Sequence, residues 1–138
     1  MFAVIAQINW LAVALAFVVS SAFAAFYFAV VIAKPYVVAL GREGAPKPQG
    51  SIVSGLGPVV CVLVTTVTSA VLLRALAVTS IGDALVFGVI VGVGYLTAMT
   101  FQIAINPNFP RPLYYGLINA PFFIVSSLAT SAILVALR

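Results

Sequence analysis

Histidine is absent from this 138-residue chain, and cysteine, aspartate and glutamate occur once each. Without histidine there is no Ser–His arrangement, no His–metal cluster and no His axial ligand for haem. The lone Cys61 excludes an internal disulfide framework and a Cys-rich metal site. It lies in an apolar run and reads as a small packing residue. Charge is equally scarce. Six Lys or Arg and two Asp or Glu make 6% of the chain, against roughly 25% in soluble domains. A water-facing surface cannot be built from so few charges. Disorder is excluded from the other side, because 64% of the residues are hydrophobic. The net charge of +4 is no nucleic-acid footprint, since the basic residues are scattered at the ends of apolar runs, where they anchor helices at headgroups. A phosphate loop is missing too: Gly55-Leu56-Gly57-Pro58 lacks the Lys and the preceding strand.

What remains is apolar length. A membrane-crossing helix needs about 20 mostly apolar residues, and four runs qualify: residues 8–33, 52–73, 84–105 and 113–137. They do not alternate in polarity as barrel strands do, and their Ala and Leu favour helix. The first run ends in Ser21-Ala22-Phe23-Ala24, which loosely fits a signal-cleavage site. No Lys or Arg precedes it, however, and the run is longer than a signal core, so it is expected to be a spanning helix. The expected fold is all-α, one transmembrane domain over residues 1–138, a four-helix bundle running up-down-up-down.

One connection is long. Residues 34–51 hold Gly41-Arg42-Glu43-Gly44 and Pro46-Lys47-Pro48, which predicts a polar surface loop. Ser80 and Asp83 have the spacing of a capping box opening the third helix. Three prolines stiffen the link before the fourth helix. Lys34, Arg42, Lys47 and Arg111 fall on one side, Arg74 and Arg138 on the other. That bias puts the first and third links in the cytoplasm and both termini outside.

Small residues mark helix faces. Ala12, Ala16, Ser20 and Ala24 form a four-residue-spaced stripe in the first helix, and Gly88 and Gly92 form a Gly-x-x-x-Gly in the third. Ser127 and Ser131 repeat the spacing in the fourth. Such faces serve self-association or packing within one bundle, and the motif does not distinguish them. No ionisable residue sits near a helix centre, which argues against a proton-coupled transporter. Asp83 and Arg74 share one side and are positioned to pair. The intramembrane polar residues are uncharged: Asn9, Gln102 and Asn119, with Thr65, Thr66, Thr68 and Ser69 in the second helix. Asn119 sits two residues before Pro121, where it can satisfy backbone groups that the proline frees or bond across helices. The Thr and Ser hydroxyls can fold back onto their own helix carbonyls. Trp10, Tyr27, Tyr36, Tyr114 and Tyr115 gather near helix ends as interfacial anchors.

Several short stretches carry a resemblance. Ile8-Asn9-Trp10-Leu11-Ala12 opens the first helix and Phe26-Tyr27-Phe28 stands near its end. Gly82-Asp83-Ala84-Leu85 opens the third. Arg111-Pro112-Leu113 and Leu117-Ile118-Asn119-Ala120 open the fourth. Over nearly its whole length the chain resembles the "domain of unknown function 1761" family of small bacterial four-helix membrane proteins. That family often carries a Tyr-His pair just after the last Asn. Here Pro121-Phe122-Phe123 follows, so any role of that His does not carry over. The resemblance implies topology and a multi-pass place in a bacterial inner membrane. It implies no activity.

Two functions are expected from different classes. The first is a non-enzymatic membrane protein that self-associates through the small-residue faces or serves as an accessory subunit of a membrane complex. The second is a small solute channel or carrier lined by Asn9, the second-helix Thr cluster, Gln102 and Asn119. A lipid-acting enzyme would have to draw on Asp83, Arg111 or Glu43, which show no recognisable spacing. No catalytic residue, metal or cofactor is expected, bound lipid apart, with Arg111 the candidate for an anionic headgroup. The expected partners are the bilayer, further copies or other membrane subunits, and no nucleic acid.

Overall fold

A computed structural model describes residues 2–46 and 49–138, and every regular element among them is helical. A short 3-10 turn, Phe2–Gln7, comes first. Four helices follow that are long and apolar enough to cross a membrane: α1 (Trp10–Val31), α3 (Ile52–Ala75), α4 (Ile81–Ala104) and α5 (Pro112–Ala136). The short α2 (Ala33–Ala39) follows α1.

Side chains set the starts. Asn9 accepts from the Leu11 and Ala12 amides and begins α1. Ser51 and Ser54 bond reciprocally at the start of α3, a capping box the sequence reading overlooked. Ser80 accepts from the Asp83 amide at 3.0 Å, so α4 opens at Ile81, three residues before the expected start. Pro112 occupies the first turn of α5, where its missing N–H costs no hydrogen bond.

Two expectations are corrected. Lys34-Pro35 does not end helical structure. The chain breaks at Ile32 instead and turns again into α2, with Pro35 in the first turn, where amides have no helical partner. The polar connection therefore starts at Leu40, and its Lys47 and Pro48 lie outside the described residues. Arg74 and Asp83 do not pair. The Arg74 guanidinium donates to Gln7 Oε1 at 3.2 and 3.3 Å, and the Asp83 carboxylate accepts from the Ser80 hydroxyl at 2.7 Å. Each finds a nearer neutral partner on its own side.

The bundle is built around α5, which packs against α1, α2, α3 and α4. Of its apolar stretch 39% is buried, against 17–22% for the other three long helices. Glycine allows the closest of these contacts. A Cβ on Gly88 would lie 2.9 Å from Leu128 Cα, and one on Gly92 would lie 3.0 Å from Ile124 Cα. Both neighbours are backbone and cannot yield as a side-chain tip can. The Gly-x-x-x-Gly face is thus used inside the chain. Ala12, Ala16 and Ser20 are buried as well, and Ala24 is half-buried. Another glycine had no obvious signal: the Phe101 ring covers Gly116 where a Cβ would stand.

Two apolar clusters result. The first joins Ala12, Val13 and Ala16 of α1 with Ala70 and Leu73 of α3, Ala84 and Phe87 of α4, and Leu134 of α5. The second is aromatic, with Tyr27 and Phe122 at its centre and Phe23, Phe28 and Tyr36 around them. No residue of α3 enters the second cluster. At the end of the bundle near the first cluster, Asn9 donates to the Leu137 carbonyl and Arg138 to that of Val78. At the other, Arg111 donates to the Val38 carbonyl at 2.9 Å and to Glu43 at 3.0 Å.

The glycine contact predicts an asymmetry. Gly88→Leu should destabilise the fold by about 1–3 kcal/mol through overpacking. Gly94→Ala, whose Cβ would meet nothing within 4 Å, should leave it intact. Unfolding of the purified variants in detergent measures both.

Candidate functional site

Between the two apolar clusters the helices fail to close on one another. The gap is a cavity of about 350 Å³, bounded by α1, α3, α4 and α5. It lies near the middle of each helix, as Ser20, Thr66 and Ser127 indicate. Two of the bounding helices carry π-helical segments, and the other two are α-helices with an internal proline. α1 turns π-helical over Tyr27–Val31, and Phe28 from that turn lines the cavity. α4 is π-helical over Ile90–Thr97, which supplies Val91 and Leu96. A π turn widens a helix and shifts its following face, and such turns are common at functional sites. Pro121 interrupts the hydrogen bonding of α5 just before Phe122 and Phe123, and Pro58 does so in α3. The first half of α3 is largely exposed along Ile52, Val53, Leu56, Val60 and Val64, and forms a loosely held wall.

The lining is apolar with hydroxyls set into it, and no charged side chain among the described residues reaches it. Ser20 Oγ and Thr130 Oγ1 stand 2.9 Å apart, both buried, and tie α1 to α5. Thr65 and Thr66 donate back to their own helix, Thr66 to the Val62 carbonyl at 2.8 Å. Ser69 and Ser127 differ. Their relative exposures are 8% and 7%, they line the cavity, and their hydroxyls have no partner among the described residues.

The polar residues singled out from sequence are not brought together. Asn9 is spent on capping α1 and on the Leu137 carbonyl. Gln102 is exposed on the outside of α4. Asn119 is buried but donates to the Tyr115 carbonyl, one turn earlier in its own helix, at 2.7 Å. The carbonyl that Pro121 deprives of its amide belongs to Leu117, so Asn119 serves a different carbonyl, two residues before it. Of the channel lining once expected, Thr65, Thr66 and Ser69 reach the cavity. Arg111 is half exposed and holds Glu43 and the Val38 carbonyl, which ties the polar connection to the start of α5. The sequence reading missed Thr130, Ser126 and the cavity role of Ser127. Their signal was a hydroxyl every few residues along α5, legible only once the phase of the Pro121 break is known.

The Ser20–Thr130 contact can be isolated. A double-mutant cycle with Ser20→Ala and Thr130→Val should give a coupling of about 0.6 kcal/mol, the usual size for such bonds between apolar helices. Additive losses would show that the two hydroxyls stand alone.

No curated protein and no solved structure matches this chain. Residues 11–135, nearly the whole bundle from α1 to α5, do match the family model described as "Protein of unknown function (DUF1761)", and the chain belongs to that family.

Proposed function

We propose that this is a multi-pass membrane protein that holds a lipid-soluble molecule in the cavity between its helices, without catalysing a reaction. The observation that carries the reading is the cavity itself: about 350 Å³, bounded by four apolar helices and lined by hydroxyls without charge. Binding sites for small molecules are mostly apolar with a few placed polar groups, and occur between the helices of bundles. In the proposed arrangement the four long helices cross a bacterial inner membrane up-down-up-down. The Arg111 end faces the cytoplasm and both termini face outside. The first half of α3 then borders the acyl chains, and the ligand enters sideways past it.

Self-association loses its main support, because the small-residue faces of α1 and α4 are occupied within the chain. A water-filled solute channel has little support, since Asn9, Gln102 and Asn119 lie apart from the cavity. The absence of an enzyme role rests on composition: Asp83, Glu43 and Arg111 lie outside the cavity, and no histidine exists to join them.

Two outcomes follow. In a Cys61→Ser background, Arg138→Cys should react with an impermeant maleimide added to intact cells, and Glu43→Cys should react only after lysis. The reverse pattern would invert the topology. Native mass spectrometry of gently extracted protein should find the chain carrying a small lipid-soluble adduct. Ser127→Phe, which fills the cavity, should remove it, while Ile103→Phe on the exposed side of α4 should not. Equal adduct on all three proteins would place it outside the cavity.

A further inference from the structure

Resting on that reading, we infer that the ligand's buried end is an uncharged ring bearing a carbonyl, of the quinone type. Three features select this class.

The first is the unspent hydrogens. Ser69 and Ser127 are more than nine-tenths buried, line the cavity and have no partner among the described residues. In the Ser20–Thr130 pair one hydroxyl donates and the other keeps a free hydrogen. A hydroxyl left unsatisfied in an apolar interior costs free energy comparable to a lost hydrogen bond. A ligand offering only donors would leave all of these hydrogens idle. A carbonyl oxygen, with two lone pairs, takes up two of them.

The second is charge. No Lys, Arg, Asp or Glu among the described residues lines the cavity. A carboxylate or phosphate drawn into it would be desolvated with no counter-ion, at a cost of several kcal/mol or more. The buried end is therefore neutral.

The third is shape. About 350 Å³ is near the lower end of the roughly 300–1,000 Å³ of small-molecule sites. That accommodates a ring-sized head and leaves any tail between α3 and the bilayer. The aromatic wall fits a flat group. Phe28 meets Phe122 edge-on at 5.1 Å, and Phe122 meets Phe123 edge-on at 5.2 Å. Rings locked edge-to-face leave ring faces and edges for another conjugated ring to pack against in offset or tilted geometry.

The test is saturable binding of a tritiated, fully ring-substituted decyl benzoquinone to the purified full-length chain in nanodiscs, read by scintillation proximity. One site per chain is expected. Decylbenzene, with the same tail and no acceptor, should compete at least about tenfold less well. Palmitate should compete no better than decylbenzene. Ser69→Ala with Ser127→Ala should weaken quinone binding about tenfold and leave decylbenzene competition unchanged. Ser127→Thr, which keeps a hydroxyl, should bind as the parent does, so loss of binding through misfolding is recognised. Equal competition by decylbenzene, by palmitate or by a diacylglycerol overturns the quinone-type head and leaves the cavity reading standing. So does absence of quinone binding while the extracted protein keeps its cavity adduct. Absence of both binding and adduct overturns the two together.

Discussion

The close approach of α4 to α5 is the constraint on which the other positions depend. Two glycines bring the helices so near that Gly88 and Gly92 face backbone atoms of Leu128 and Ile124. In a bilayer no hydrophobic force drives helices together, so contact of this kind carries the association. With α4 seated on one side of α5, the Ala12, Ala16 and Ser20 stripe brings α1 onto another. α3 packs through its second half alone, where Thr66, Ser69, Ala70 and Leu73 are buried. The cavity is what remains where α3 leaves α5 and the aromatic cluster has already closed on itself.

Polar groups are distributed in the same order. Asn9, Ser51 and Ser80 sit at helix starts, where amides need acceptors. Arg74, Arg111 and Arg138 sit at the ends of the bundle and bond carbonyl or amide oxygens, and Arg111 also pairs with the Glu43 carboxylate. Hydroxyls alone reach the middle. A hydroxyl can be carried into an apolar interior because it can bond its own helix, as Thr66 and Ser131 do. Of those that do not, Ser69 and Ser127 line the cavity, whereas the buried Ser21 and Thr97 hydroxyls lie outside its lining.

The four long helices were legible in the sequence to within two or three residues, because apolar length and terminal caps are local properties. Ser80 with Asp83 marked the start of α4, although the apolar run itself suggested a later one. The Gly-x-x-x-Gly spacing marked a packing face, but spacing carries no information about whose backbone fills it. The cavity was not legible. Two π segments and two prolines border it, and a π turn has no composition of its own: Ile90–Thr97 reads like any other apolar stretch. Once that segment shifts the phase of α4, equal spacing no longer means the same face, and Gln102 beyond it is exposed. Gly116 was hidden for a simpler reason, since the ring that covers it comes from Phe101, across the turn between two helices.

The central place of α5 has a consequence for biogenesis. It follows α1, α3 and α4 in the chain, so the three helices made earlier emerge before their common partner exists. α1 and α3 share their own contact and can wait as a pair. α4 has its glycine face uncovered until the last helix arrives. The α4–α5 contact is then the last of these to form. A chain ended before residue 112 would leave that glycine seam without its partner.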